Sequence, residues 1–327
     1  MTVLVTGSAG HLGEGIVRTL RAAGRPVLGL DAKASTLTDR VGSILERTFV
    51  RECLDGVSAI IHAATLHKPH LATHSFQDFV DTNVTGTRIL LEEAVAANVE
   101  CFVYTSTTSV FGRALSPGPE QPAVWVTEEL TPEPKNVYGL TKLLAESLCE
   151  LFHRRHGLPV LVLRTSRFFP EADDDVAVRS SYEPANVQAN EMLYRRVDIE
   201  DVVNAHLLAL EKAASVGFGR YIVSATTPFA LVDLAELSID AQGVVNRLFP
   251  ECEALYAARG WKPFPTIGRV YVNQLARSGL DWEPKYDFRH VLESLRENRD
   301  FHSALARVVG SKGYHDRKFD EGPYPVA

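Results

Sequence analysis

The stretch Val3-Leu4-Val5-Thr6-Gly7-Ser8-Ala9-Gly10-His11-Leu12-Gly13 decides the fold of this 327-residue chain. Its first part, Val3–Thr6, is a short apolar run, which predicts a buried strand. Apolar residues at helical spacing over Leu12–Ala23 predict a helix directly after the glycine-containing loop. The same alternation of apolar runs and helical patterns continues over the first two hundred residues. It is typical of an α/β protein whose parallel sheet is covered by helices on both faces.

The later elements follow from the same two periodicities. Further strands are predicted at Pro26–Leu30, Ser58–His62, Cys101–Ser106, Pro159–Arg164 and Arg220–Ser224. Further helices are predicted at Phe76–Ala97, Val137–His156, Ile199–Leu210, Leu231–Leu237, Tyr271–Ser278 and His290–Leu305. Three segments give weaker patterns: no clean strand over Arg40–Val57, an exposed loop over Ala114–Pro134 and little periodicity over Ala172–Tyr194.

These elements predict the domain organisation. We expect a Rossmann-type doubly wound parallel sheet over residues 1–165, completed by a helix and a strand from about 197–225. Residues 166–327 are expected to form mainly a smaller C-terminal substrate-binding lobe and a C-terminal tail.

Composition restricts the classes of partner. The formal net charge is −7 and no block of Lys or Arg stands out, so neither nucleic acid nor an anionic membrane is an expected partner. No apolar run is long enough to span a bilayer, and no basic region precedes the first strand. Four scattered cysteines without a CxxC pair indicate a reducing compartment. We therefore expect a cytoplasmic protein that acts on a small molecule.

The glycine loop is the first candidate binding site. Gly7 permits a tight turn, Gly10 lets the backbone approach a pyrophosphate, and Gly13 permits close helix packing. Asp31 ends the second predicted strand, where a carboxylate accepts hydrogen bonds from ribose hydroxyls and repels a 2′-phosphate. The pattern predicts NAD rather than NADP, although the nearby Lys33 would soften that repulsion.

Tyr138 and Lys142 form the second candidate site. Their i, i+4 spacing places them on one face of the predicted helix. A lysine ammonium beside a phenol favours the phenolate and lowers the pKa of the tyrosine, which then serves as an acid or base. Such a pair is also common on solvent-facing helices. Here it follows a strand that ends in the hydroxyl cluster Thr105–Ser109, at the sheet edge where ligands bind.

Together these motifs resemble the extended short-chain dehydrogenase/reductase family, the NAD-dependent epimerase/dehydratase group. The matching pieces occur in the family's order. They are Thr6–Gly13, Asp31, His62–Ala64, Asn83–Thr87, Thr105–Gly112, Tyr138–Lys142, Arg164–Phe169, Val197–Val202 and Gly279–Pro284.

The resemblance implies roles for individual residues. Tyr138 would be the acid/base, Thr107 would hold the substrate oxygen, and Lys142 would bind the nicotinamide ribose, with Asn83 beneath the active site. The implied cofactor-binding residues are Gly7, Ala9, Gly10, His11, Leu12, Gly13, Asp31, Ala63, Ala64, Thr65, Thr105, Ser106, Tyr138 and Lys142. The candidate substrate-binding residues are His67, Thr107, Thr108, Arg164, Phe168, Arg195 and Arg196.

The resemblance also bears on assembly and on metals. The family commonly dimerises through the helices represented here by Phe76–Ala97 and Val137–His156, which implies a homodimer. His67, His70 and His74 have a spacing that can hold a metal ion, but Pro69 interrupts the run and the chemistry needs no metal. No metal site is predicted.

Three functions remain open from the sequence. The first is an NAD-dependent oxidoreductase acting on a hydroxyl or keto group of a small sugar-like or hydroxy compound, favoured by the short segment Ala172–Tyr194. The second is a nucleotide-sugar 4-epimerase or dehydratase with tightly bound NAD. The third is a non-catalytic dinucleotide-sensing protein, which would not need Thr107, Tyr138 and Lys142 together.

Overall fold

The structure, a computed structural model, describes residues 1–118, 120–173, 175–313, 315 and 319. The strands of this part of the chain are short and mostly buried. They are β1 (Val3–Thr6), β2 (Val27–Asp31), β3 (Arg40–Val41), β4 (Ala59–His62), β5 (Cys101–Thr107), β6 (Val124–Val126), β7 (Val160–Thr165), β8 (Phe218–Val223) and β9 (Arg269–Tyr271). Seven of them form a parallel sheet in the order β3-β2-β1-β4-β5-β7-β8. This is the predicted doubly wound, Rossmann-type sheet.

Helices cover the sheet and build the lobe beside it. They are α1 (His11–Ala22), α2 (Arg47–Cys53), α3 (Phe76–Val80), α4 (Gly86–Ala96), α5 (Val137–His156), α6 (Val176–Ser181), α7 (Pro184–Met192), α8 (Ile199–Val216), α9 (Leu234–Leu237), α10 (Ala241–Leu248), α11 (Cys252–Ala257), α12 (Gln274–Leu280), α13 (Phe288–Arg296) and α14 (Ala304–Val309). Helices α1 and α8 pack on one face of the sheet, and α2, α4 and α5 pack on the other. Within the described part of the chain, no helix is long and apolar enough to cross a bilayer.

Alternation along the strands explains the two covered faces. In β4, Ile61 points toward the α1 and α8 side and Ile60 toward the α4 and α5 side. Both side chains are fully buried, which is why β4 is apolar on both of its faces. The parallel register sets Thr6 beside His62 and His62 beside Tyr104. The carboxyl ends of the strands therefore meet at one edge of the sheet.

The long helix α5 was predicted with its observed bounds because both ends carry clear signals. The Asn136 side chain accepts a hydrogen bond from the Gly139 N–H at 3.1 Å and caps the first turn. Gly157 ends the helix with φ of 69°. The helix thus carries Tyr138 and Lys142 to the carboxyl edge of the sheet.

The prediction of one regular helix over Phe76–Ala97 was incomplete. A π-helical turn, Asp81–Thr85, separates α3 from α4. Its centre, Asn83, is buried beneath the carboxyl edge of the sheet. Sequence periodicity does not reveal such a local change in helical pitch, which is often found near functional sites.

Two segments for which the sequence predicted no strand each contain a short strand. The short β3 lies in Arg40–Val57 and pairs with the end of β2, while α2 follows it. In the predicted loop Ala114–Pro134, β6 pairs in parallel with β9, which ends at Tyr271, so the helix predicted over Tyr271–Ser278 begins only at Gln274. This two-stranded sheet joins the region after β5 to the C-terminal lobe.

The C-terminal lobe has an apolar core of its own, centred on Phe249, Tyr256 and Phe288. The segment Ala172–Tyr194, which showed little periodicity, contributes α6 and α7. The predicted helix His290–Leu305 is two helices, α13 and α14, because the chain turns at Asn298 with φ of 53°. The end of the predicted tail, 320–327, lies outside the described residues.

Candidate active site

A cavity of about 640 Å³ opens at the carboxyl edge of the sheet, between the core and the lobe. It brings together most of the residues that the sequence singled out. Those that line it are Gly7, Ala9, Gly10, His11, Leu12, Gly13, Asp31, Ala63, Ala64, Thr65, His67, Thr105, Ser106, Thr107, Thr108, Tyr138, Lys142, Phe168 and Arg195.

The glycine loop forms one end of this cavity. Gly7 has φ of 77°, and a Cβ there would lie 2.7 Å from the Ala64 backbone nitrogen. A Cβ at Gly13 would overlap the Gly7 carbonyl oxygen. Gly10 caps α1 without a side-chain hydrogen bond, so the first turn of the helix is open toward the cavity. The loop therefore fits a dinucleotide diphosphate.

Asp31 lies beside the loop in a fixed orientation. One carboxylate oxygen accepts a hydrogen bond from the Ala9 N–H at 3.0 Å, and the other accepts one from the Lys33 N–H at 2.8 Å. Both Asp31 and Lys33 line the cavity. A carboxylate in this place fits a ribose diol next to the diphosphate.

Tyr138, Thr107 and Lys142 meet deeper in the cavity. The Thr107 and Tyr138 side chains both line the cavity, and both are buried. Burial raises the pKa of Tyr138, and the neighbouring Thr107 side chain opposes that rise. Burial lowers the pKa of Lys142 to about 7, against the fields of Cys149 and Glu146. Its Nζ lies 4.2 Å from the centre of the Tyr104 ring.

These pKa directions correct one expectation. The sequence predicted that the Lys142 ammonium lowers the pKa of Tyr138. In the structure, burial raises the pKa of Tyr138, the opposing contribution comes from Thr107 and not from Lys142, and burial also lowers the pKa of Lys142. Burial therefore favours the neutral phenol of Tyr138 and the neutral amine of Lys142.

His67 lies against the phenol. Its ring centre is 5.0 Å from that of Tyr138 and 5.0 Å from that of Phe169, in edge-on contact with both. Burial is the main cause that lowers the pKa of His67 to about 3, so the imidazole beside Tyr138 is neutral at physiological pH. A neutral, polarisable ring beside the phenol fits a contact with substrate.

Asn83 does not line the cavity, although the sequence placed it among the catalytic residues. Its side-chain oxygen accepts hydrogen bonds from the Leu66 N–H at 2.8 Å and the Thr65 hydroxyl at 2.9 Å. Its amide donates to the Leu66 carbonyl and to the Thr141 hydroxyl, both at 3.0 Å. Asn83 ties the loop after β4 to α5 and acts as a positioning residue.

Two predicted substrate residues point away from the cavity. Arg164 is buried and donates to the Glu146 carboxylate at 2.7 Å, because β7 alternates and directs this side chain toward α5. Arg196 is buried and donates to the Glu191 carboxylate at 2.8 Å. We therefore leave Arg164 and Arg196 out of the proposed substrate site.

The sequence interpretation missed Glu146, which lies on α5 one turn beyond Lys142. It is fully buried and accepts hydrogen bonds from Arg164 and from the Ser106 hydroxyl, the latter at 2.5 Å. The i, i+4, i+8 spacing of Tyr138, Lys142 and Glu146 could have indicated a shared helix face.

The sequence interpretation also missed most cations at the substrate end. Arg167 and Arg269 line the cavity with Arg195. Arg195 pairs with Glu191 at 2.6 Å and with Asp173 at 3.2 Å. No sequence signal identifies Arg269, because only the pairing of β6 with β9 brings it to the cavity.

The three histidines considered for a metal do not form one shared face. The segment Lys68–Ala72 is a 3-10 helix, and the His67 N–H donates to the His70 side chain at 2.8 Å. Among the residues whose placement is described, no group of three His, Cys, Asp or Glu side chains could hold a metal ion.

Comparison with known proteins places this geometry in a family. Uncharacterized protein y4nG of Sinorhizobium fredii is 36% identical over 168 residues, which cover 50% of this chain and 40% of that protein. The chain thus spans less than half of that relative's length. UDP-glucose 4-epimerase of Rhizobium meliloti is 28% identical over 332 residues, covering 89% of this chain and 95% of the epimerase.

Solved structures share the architecture. A short-chain dehydrogenase/reductase superfamily protein of Agrobacterium tumefaciens, solved with bound NAD, superposes with a TM-score of 0.62 at 26% identity. The superposition covers 91% of this chain and 98% of that protein. The sequence profile of the NAD dependent epimerase/dehydratase family matches residues 3–223, which include the glycine loop, Asp31, Thr107, Tyr138 and Lys142. This chain is therefore a member of the NAD dependent epimerase/dehydratase family.

Proposed function

We propose that this protein catalyses NAD-dependent oxidation and reduction at a hydroxyl-bearing carbon of a sugar-type substrate. The observation that carries the proposal is that Thr107, Tyr138 and Lys142, all buried, line the same cavity as the glycine loop. A binding protein would need the loop but not a buried phenol, hydroxyl and amine next to it. We therefore favour an enzyme over a dinucleotide sensor.

NAD is the proposed cofactor, in preference to NADP. The Asp31 carboxylate is held by two backbone N–H groups and lines the cavity. It would accept hydrogen bonds from the ribose diol, while a 2′-phosphate would meet its negative charge. Lys33 is exposed and lies on the same rim, so its charge reduces this preference without removing it.

The reaction divides among the chain's own residues. Tyr138 would take the proton of the substrate hydroxyl, or return it, while Thr107 orients the oxygen. Lys142, whose pKa is about 7, is protonated in part of the molecules near neutral pH and then favours the phenolate. Bound NAD supplies the nicotinamide carbon that accepts the hydride.

The substrate end suits an anionic sugar derivative. Arg195 and Arg269 line the cavity together with Tyr138 and Phe168, and guanidinium groups bind phosphates and carboxylates in paired hydrogen bonds. Sugar nucleotides and sugar acids both carry such groups. Similarity to a UDP-glucose 4-epimerase over most of the chain supports an epimerase or dehydratase reaction, in which NAD is regenerated, as the first candidate.

A net dehydrogenase reaction on a small sugar-like or hydroxy compound is the second candidate. It is supported by the short segment between β7 and α8, where α6 and α7 have six and nine residues. These helices leave less chain to enclose a nucleotide than a longer insertion would.

A homodimer is proposed through the outer face of α5. Leu140, Leu144 and Leu151 are exposed along this helix, and Phe76 is exposed at the start of the adjoining α3. An apolar stripe of this kind on one face of a monomer is typical of an interface. Assembly stays a prediction.

A substrate panel with a Tyr138→Phe variant tests the proposed function. Purified protein with NAD would be offered sugar nucleotides, free sugars and sugar acids, followed by near-ultraviolet absorbance and NMR. A changed sugar nucleotide without net reduced cofactor supports the first candidate, and accumulating reduced cofactor supports the second.

Tyr138→Phe should lower turnover about 1,000-fold with NADH binding retained. Tyr286→Phe, whose phenol donates to Glu200 away from the cavity, is the matched control. Full turnover in Tyr138→Phe would refute the assignment.

A further inference from the structure

The segment Ser311–Gly313, here called the strap, follows α14 and returns to the glycine-loop end of the cavity. Gly310 precedes it and Gly313 ends it, with φ of 57° and 65°, conformations that let the chain turn sharply. Lys312 and Gly313 line the cavity. The family match ends at residue 223, so the strap lies outside the part of the chain that the family profile describes.

The strap is held on one side by the first turn of α1. The Lys312 ammonium contacts the Glu14 carboxylate, which also pairs with Arg18 at 2.7 Å. Burial opposes ionisation of Glu14, but the hydrogen bonds and charges of Lys312 and Arg18 lower its pKa. Glu14 is therefore an anion at neutral pH, and the strap is attached to it by an ion pair.

On the other side the strap is held by Glu171, in the loop after β7. One carboxylate oxygen accepts hydrogen bonds from the Ser311 hydroxyl at 2.9 Å and from the Lys312 N–H at 3.1 Å. The same oxygen is 2.8 Å from the ring nitrogen of His11, the residue that begins α1 directly after the glycine loop. A single carboxylate thus joins the start of α1, the loop after β7 and the strap.

A third attachment lies farther along the chain. The His315 ring donates to the Pro69 carbonyl at 2.9 Å, and it lies 5.8 Å from the His70 ring. Pro69 and His70 belong to the loop after β4. Ser311, Lys312 and His315 therefore contact elements that follow three different strands.

The carboxylates around the glycine loop indicate a second role for Lys312, besides its ion pair with Glu14. Glu14 and Glu171 place two carboxylates close to the position where the loop and α1 would bind a diphosphate. Their field opposes a dianion, and the Lys312 ammonium at Glu14 supplies a compensating positive charge. A lysine side chain is long enough to exchange its partner from Glu14 to a phosphate oxygen.

We propose that the strap closes over the diphosphate part of bound NAD and slows its release, with Lys312 as the retaining residue. The inference rests on the proposed NAD-dependent function and extends it to the exchange of the cofactor. Retention suits a reaction cycle in which the same NAD is reduced and reoxidised. The strap must open before the dinucleotide enters or leaves, so entry and release are both controlled by it.

Release of NADH from the full-length protein tests the proposal. NADH-loaded protein would be mixed with excess NAD, and the loss of protein-bound NADH fluorescence would be followed by stopped flow. Lys312→Ala should release NADH at least about tenfold faster than the wild type, because a charge-assisted contact is lost. Lys212→Ala removes an ion pair with Asp281 outside the cavity and should release NADH at the wild-type rate. Equal release rates in wild type and Lys312→Ala would overturn the strap proposal, while failure of the wild type to bind NADH would overturn the proposed function itself.

Limited trypsin digestion of the wild type gives a measurement that needs no variant. The proposal requires NADH to slow cleavage after Lys312, identified by mass spectrometry, by at least about fivefold, because a closed segment must open before cleavage. Cleavage of the Arg154–Arg155 bond, at the exposed end of α5, provides the internal control. An unchanged rate at Lys312 with bound NADH would contradict closure of the strap.

Discussion

Replacing the buried Glu146 by glutamine should destabilise the core while leaving its shape intact. The carboxylate is fully buried and accepts hydrogen bonds from Arg164 at 2.7 Å and Ser106 at 2.5 Å, with the Arg220 guanidinium 3.4 Å away. Glutamine keeps the size but leaves the buried Arg164 charge without its counterion. We expect a loss of about 3 kcal/mol in the free energy of unfolding, the usual cost of breaking one side of a buried pair. In urea this moves the unfolding midpoint down by about 1 M.

The matched control is Glu150→Gln, one turn farther along α5. Glu150 pairs with Arg220 at 2.6 Å but is partly exposed, so its loss should cost less than about 1 kcal/mol. Urea unfolding followed by circular dichroism compares the two variants with the wild type. Equal midpoints for Glu146→Gln and Glu150→Gln would refute the reasoning from burial.

The same substitution should also change the pKa of the Lys142 amine. The negative charge of Glu146 raises the pKa of Lys142, against the larger effect of burial. Without it the pKa of Lys142 falls further, so the pH dependence of turnover assigned to this amine should move to lower pH. A pH profile identical to that of the wild type would exclude electrostatic coupling between Glu146 and Lys142.

Two further predictions concern cofactor choice and acid stability. Asp31→Asn should lower the preference for NAD over NADP by about tenfold or more, measured as the ratio of the two dissociation constants. Asp55→Asn, at an exposed position, is the control. Burial lowers the pKa of His206 from 6.5 to about 4, so its neutral form is favoured in the folded state and stability is lost as pH falls below 6.5. When the pH falls from about 7.5 to about 5, the free energy of unfolding should decrease by about 2 kcal/mol more in the wild type than in His206→Gln. The same decrease in both proteins would contradict this origin.

Local signals explain which parts of the fold the sequence predicted. The cap at Asn136 and the glycine at Gly157 define α5 from neighbouring residues alone, so its bounds agree with the structure. The buried strands of the main sheet are continuous apolar runs, which need no knowledge of their partners. The residues lining the cofactor end, from Gly7 to Asp31, follow from this same strand–loop–helix pattern.

Features that depend on distant partners could not be predicted in this way. Three-residue strands such as β6 carry little pattern of their own, and its partner β9 lies far along the chain. The orientation of Arg164 depends on a buried acid on another element, and the pKa of Lys142 depends on how deeply α5 is covered. The contribution of Lys312 to the cavity likewise depends on the path of the chain after α14.

The order of strands in the sheet affects how the chain folds during its synthesis. Strand β8, Phe218–Val223, pairs with β7 but follows it only after the chain has passed through α6, α7 and α8. During synthesis from the N-terminus, the hydrogen-bonding edge of β7 therefore stays open until the ribosome has delivered β8. An open apolar edge is a template for pairing with other chains. We expect ribosome-bound intermediates that end before Phe218 to be the aggregation-prone stage of biosynthesis and to depend most on chaperones.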